Sequence, residues 1–170
     1  MGRRGLVMVV GIVVIVAGAI GFYLFRPDTL FWKSTVSEEF PAGPGGAQGS
    51  NSQGDAVQLL TGHFHPVAHQ GTGVATIYQL PDGKRVLRLT AFDVDNGPDL
   101  YVYMVAAEDA TDDATVEQAG YVSLGLLKGN RGDQNYELPA DLDLNTYRSV
   151  SIWCQRFSVN FATAPLKPLE

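Results

Sequence analysis

Residues 72–92 read TGVATIYQLPDGKRVLRLTAF. Two runs rich in Val, Ile, Thr, Tyr and Phe flank Pro81-Asp82-Gly83, where the proline fixes φ and the glycine supplies a positive φ. The stretch is therefore a β-hairpin. In its second run Leu87, Leu89 and Ala91 alternate with Arg88 and Thr90, the period-2 pattern of a strand wet on one face.

The same signals continue on either side. In NGPDLYVYMVA, residues 96–106, a turn feeds a strand with Leu100, Val102 and Met104 on one face and Tyr101, Tyr103 and Val105 on the other, so both faces should be covered. GYVSLGLLKG and QNYELP read as two short strands, and YRSVSIWCQRFSVNFATAPL, residues 147–166, as one long final strand. Only Asp112 to Ala119 suggests a helical turn. Short strands punctuated by turns predict an all-β fold, an antiparallel β-sandwich or barrel-like domain over residues 56–170.

Composition agrees. The 170 residues include 19 glycines and 9 prolines, with only 18% charged residues, which suits a turn-rich β protein better than a helical bundle. The formal net charge of −6, without any Lys/Arg cluster, argues against nucleic acid as a partner. No Gly-x-Ser-x-Gly, His-Glu-x-x-His or phosphate-cradling glycine loop occurs, so no hydrolase or transferase motif marks the chain as an enzyme.

The N-terminus carries a different signal. After a short segment, residues 1–4, the run from Gly5 to Phe25 is uncharged and about the length a helix needs to cross a ~30 Å hydrocarbon core. A cleavable signal has a shorter apolar region of ~7–15 residues, and this run continues past its one plausible cleavage site, Ala17-Gly18-Ala19. We read 5–25 as a transmembrane signal anchor. Arg3 and Arg4 in front of it, against Arg26 behind, place the N-terminus in the cytoplasm and the β domain outside. Residues 26–55 read as a linker, whose Gly, Pro, Ser, Gln and Asn between Pro41 and Gly54 make a flexible tether.

Four segments, GHFHPVAHQGTGVATIYQLPDG, FDVDNGPDLYVYM, LGLLKGNRGDQNYELP and the final YRSVSIWCQRFSVNFATAPL, together closely resemble the DM-thirteen domain over about Leu59 to Leu166. That family is an electron-transfer module, seen beside DOMON domains in animal proteins and in membrane-anchored bacterial ones. The resemblance implies a β-rich extracytoplasmic domain with a redox role centred on the cysteine of the Trp-Cys segment, here Cys154, acting as a bare thiol or holding a prosthetic group such as haem.

Cys154 is the sole cysteine. Outside the cytoplasm a lone thiol is open to oxidants and to intermolecular pairing. In an extended strand Trp153, Phe157, Val159 and Phe161 share one face, read as the core face. Cys154 then lies on the other, beside Arg156, whose charge would favour a thiolate. The plainer reading is a small buried hydrophobe. His63 and His65, on one face of a strand, and Met104 offer nitrogen and soft sulfur for a copper or haem site, while His69 packs behind the Gly71-Gly73 turn. Covalent c-type haem is excluded because no Cys-x-x-Cys-His occurs. The acidic DVDNGPD and the Asp141, Asp143, Tyr147 corner read as turn chemistry. Two functions stay open: a redox module with an unidentified partner outside the cytoplasm, or a non-enzymatic binding module whose contact loops are DNGPD and GNRGDQN, the latter containing Arg131-Gly132-Asp133.

Overall fold

A computed structural model of the chain describes residues 11–16, 18, 33–41 and 56–168. Residues 33–170 form one compact unit, and residues 1–32 another. Residues 11–16 and 18 are helical, and no described helix is long and apolar enough to cross a membrane. The remainder of the 5–25 span, and the tether beyond Pro41 as far as Asp55, lie outside the described residues.

The larger unit is two facing sheets. In chain order the strands are β1 (Thr35–Ser37), β2 (Val57–His63), β3 (His65–Pro66), β4 (Gly71–Gln79), β5 (Arg85–Val94), β6 (Leu100–Val105), β7 (Tyr121–Leu126), β8 (Arg131–Glu137), β9 (Ser149–Cys154), β10 (Val159–Pro165) and β11 (Lys167–Pro168). One sheet runs β1-β8-β5-β4-β2-β11 and the other β3-β10-β9-β6-β7. The pairings are antiparallel except that of β1 with β8, so the fold is an open sandwich and not a closed barrel.

The 72–92 hairpin forms as read: β4 pairs β5 from Gln79↔Arg85 inward, and Gly83 N–H donates to the Leu80 carbonyl with Gly83 at φ 86°. Its inner face carries Ala75, Ile77, Leu87 and Leu89, all fully buried against Val102, Met104, Val150 and Ile152 of the other sheet. The alternation fails at Ala91, which is exposed at φ 49°. There the register shifts between Leu89 and Phe92. One inserted residue changes the parity of the strand, so Phe92 and Val94, not Ala91, return to the core. Gly73 in β4 accommodates this bulge: at φ 118°, a Cβ there would fall 2.7 Å from Phe92 Cα.

A second correction concerns residues 147–166, which are two strands. β9 stops at Cys154, the exposed turn 155–158 reverses the chain, and β10 returns with Val159 opposite Cys154. Outside β9 lies the helix Asp113–Ala119, capped by Asp112, whose Oδ1 accepts from Thr115 N–H at 2.7 Å. Its Val116 joins Tyr103, Val105, Ala110 and Trp153 in a second small core. A buried polar set ties the segment in: Asn160 Nδ2 and Thr163 Oγ1 donate to the Ala110 carbonyl, and Ser151 Oγ donates to Asn160 Oδ1.

Within the 26–55 segment, β1 lies on β8 as an edge strand. Lys33 pairs with Asp93 before it, and after it Glu38 pairs with Lys128 at 2.8 Å and accepts from Asn135 N–H. Gly132 permits the approach, since a Cβ there, at φ 98°, would collide with the Val36 carbonyl. Burial alone would raise the pKa of Glu38 and Asp93, but the bonds to Lys128 and Asn135, and to Lys33 and Arg131, outweigh it and hold both carboxyls below their ordinary values. A depressed folded pKa contributes stability that is present above the unfolded value and lost as pH falls through the folded one. The protection of the amides of residues 35–38 against exchange, relative to their intrinsic rates at each pH, is therefore expected to fall on acidification ahead of the rest of the sheet. Gly132→Ala should produce the same release at neutral pH, read by protease cleavage within residues 33–41 while the domain stays folded.

Candidate functional site

β9 is the strand on which the site is built, and all six of its residues are buried. Val150, Ile152 and Cys154 face the opposite sheet; Trp153 faces the helix. Cys154 thus lies on the principal core face, with no exposed surface, reversing the orientation expected from the aromatic spacing. Phe157, expected in the core, is 65% exposed in the turn, and Arg156 is exposed beside it.

The thiol has a defined partner. Sγ donates to the Pro98 carbonyl at 3.0 Å. Pro98 belongs to the loop Asn96–Asp99, which leads into β6, where Leu100 pairs with Cys154. The loop is held down from three directions. Gln155 N–H donates to the Asp99 carbonyl, and Asp99 adopts φ 67°. Gly97 sits against Phe161, whose Cζ would be 2.6 Å from a Cβ at that position. Phe161 in turn stacks on His69 at 3.9 Å, and the adjoining Gln70 N–H donates to Asp95 Oδ2 at 3.0 Å. His69 therefore packs on an aromatic ring at this end of the sandwich.

The other expected ligands are not gathered here. Met104 is fully buried in the same core but sits opposite Val150, four residues along the strand from the Leu100 that faces Cys154, roughly 13 Å away. His63 and His65 do not share a strand. His63 ends β2 in one sheet, exposed, while His65 begins β3 in the other, the chain crossing at buried Phe64. His65 pairs with Thr163, level with Ser151, about 10 Å along and about 10 Å across from Cys154. Its imidazole has its own partners: Nε2 bonds Asp109 Oδ1 at 2.9 Å and Nδ1 meets the Pro66 carbonyl. Burial pulls the His65 pKa down, but these bonds outweigh it and leave the pKa raised. Among the described residues no group of three or more His, Cys, Asp or Glu side chains is placed to hold a metal. A copper or haem centre on Cys154 with Met104, His63 or His65 does not fit this arrangement.

Arg131, Asp133 and Asp143 are engaged within the domain. Arg131 bonds Asp93, Asp133 bonds Arg88 at 2.8 Å, and Asp143 ties its own turn through Asn145 N–H and Thr146 Oγ1. The Arg131-Gly132-Asp133 tripeptide is a strand of the sheet whose charges are spent internally.

Sequence reasoning missed the surroundings of Trp153. On the outer face of the second sheet Tyr103, 2% exposed, stacks on Tyr121 at 4.2 Å with the rings within 2° of parallel, and lies 6.2 Å from Trp153. Burial, with Tyr121 and Tyr101 alongside, pushes the Tyr103 phenol up to about 12. Strand alternation placed Tyr101 and Tyr103 on one face, but nothing local in the sequence brings Tyr121 to them; only the β6–β7 pairing does.

The fold and site define a two-sheet β domain with one buried, hydrogen-bonded thiol. A family model described as electron transfer DM13 matches residues 63–166, and the chain belongs to that family. No curated protein and no solved structure matches it.

Because the Asn96–Asp99 loop seals the thiol, an aromatic disulfide reagent should label Cys154 in the native full chain only as slowly as the loop opens. Gly97→Ala, which drives a methyl into Phe161, is expected to speed labelling severalfold with the far-ultraviolet circular dichroism unchanged.

Proposed function

We propose that this chain is a membrane-anchored, extracytoplasmic redox module acting through Cys154 as a bare thiol. Membership of the electron-transfer DM13 family supports the redox role. The anchor rests on residues 5–25: within them Ile12, Val13, Val14, Ile15 and Val16 are helical and 50–72% exposed, an apolar surface suited to lipid. Arg3 and Arg4 ahead of this run favour a cytoplasmic N-terminus.

The observation that carries the bare-thiol reading is the Sγ bond to the Pro98 carbonyl in a site with no solvent exposure. A thiol so enclosed does not meet a bulky disulfide or a metal complex directly, and sulfur–sulfur exchange requires access to the attacked atom. Electrons, not sulfur atoms, would cross the boundary of the domain. Arg156, exposed in the turn, serves better as a contact for a partner than as a thiolate stabiliser.

The test is a visible spectrum of the membrane-purified full chain before and after dithionite, followed by titration with a one-electron metal-complex oxidant. The expected result is no visible band and a greater uptake of oxidant by the wild type than by Cys154→Ala. A reducible band lost in Cys154→Ala would overturn the bare-thiol reading. Equal uptake by the two proteins would remove Cys154 from any redox role and favour the binding module.

A further inference from the structure

If electrons enter or leave a domain whose thiol is sealed, they need a path to the surface, and one row of side chains offers it. Trp153, one residue before Cys154, is 4% exposed; Tyr103 beside it is 2% exposed; Tyr121, stacked on Tyr103, is 46% exposed. The Trp153–Tyr103 contact is near-parallel at 24° and the Tyr103–Tyr121 contact lies at 2°. Of the other ring contacts among the described residues, Phe64–Phe92 and Phe40–Tyr78 meet edge to face at 62° and 87°, and only the His69–Phe161 pair, at 28°, is also stacked. Tyr101, directly across from Trp153 in the strand register, tilts against Tyr103 at 6.1 Å as a side branch.

We propose that Trp153, Tyr103 and Tyr121 form an electron route from the Trp153–Cys154 segment to the outer face of β7, with Tyr121 as its surface terminus; this rests on the redox reading above. Indole and phenol are the side-chain rings that give up an electron most readily. A row that served packing alone would be as well built from phenylalanine, without the cost of burying the Tyr103 hydroxyl. The Tyr103 ring is stacked directly on that of Tyr121.

The step balances. A metal-centred one-electron acceptor resting on β7 takes an electron from Tyr121, and the phenolic proton of this exposed ring passes to water. Trp153, by way of Tyr103, returns an electron to Tyr121, which recovers a proton from water. Trp153, now one electron short, is refilled by a metal-centred one-electron donor, a second metal complex in its reduced state. One electron has passed from donor to acceptor and no proton is consumed.

The experiment is pulse radiolysis of the full chain with azide radical, which oxidises tryptophan, in a Trp32→Phe background so that Trp153 is the sole indole. The wild-type row should convert the tryptophan radical to a tyrosyl radical, and the two are distinguished by their absorption. Tyr103→Phe keeps the ring and its packing but removes the intermediate carrier, and is expected to slow the conversion. Tyr121→Phe is expected to lower the tyrosyl yield and prolong the tryptophan radical, whereas Tyr78→Phe, in the opposite sheet, changes neither. Absence of conversion in the wild type, or the same rate and yield in all variants, would overturn the route. Repeating the series in Cys154→Ala separates the two ideas. Conversion that survives there, together with equal oxidant uptake, sinks the thiol function and leaves the route. Unequal uptake with conversion indifferent to Tyr103 does the reverse.

Discussion

The domain depends on a strand that has no solvent face. β9 buries Val150, Ile152 and Cys154 against the hairpin sheet and Ser149, Ser151 and Trp153 beneath the helix side. Full burial of a Val or Ile side chain is worth about 1.5–3 kcal/mol. The buried serines are tolerable only because each hydroxyl is matched, Ser149 to the Ala107 carbonyl and Ser151 to Asn160. The same requirement explains the helix: without Asp113–Ala119 and the Ala110 segment, Trp153 and Tyr103 would be open to water and the Asn160 amide would lose its acceptor.

That two-sided burial also explains which parts of the structure were legible in sequence. The Pro81-Asp82-Gly83 hairpin was plain because its turn residues each have a backbone reason to be there. β6 was plain because Leu100 to Val105 is apolar at both parities. β9 was not: when both faces of a strand are covered, alternation no longer says which face is the main core, and Cys154 was placed on the wrong one. The 155–158 turn was hidden for another reason. Gln-Arg-Phe-Ser carries no glycine or proline, and its left-handed residue is Ser158, at φ 51°. Ala91 was misplaced because a bulge changes strand parity without a local marker, although the apolar Phe92 and Val94 after Leu87 and Leu89 did carry the signature. The segment before Pro41 read as linker from its neighbours, yet Thr35–Ser37 joins the sheet through pairings sixty to a hundred residues away.

At the site, residue types were legible and distances were not. Cysteine, histidine and methionine in one short chain suggest a metal centre, but the β2–β3 crossing at Phe64 sends His63 and His65 to different sheets, and the strand register keeps Met104 away from Cys154. What the fold supplies to the sulfur is a backbone carbonyl and a closed loop. In this DM13 domain the thiol is insulated from solvent, and contact with the outside falls to the residues around it.

The most direct measurement is the infrared S–H stretch of the full chain transferred to deuterium oxide, since Cys154 is the single thiol. A sealed thiol bonded to Pro98 should give one S–H band, shifted to lower frequency, that persists long after transfer and is absent in Cys154→Ala. Immediate conversion to S–D would mean an open site, and no S–H band at all would mean a thiolate or a ligated sulfur; either would contradict the account.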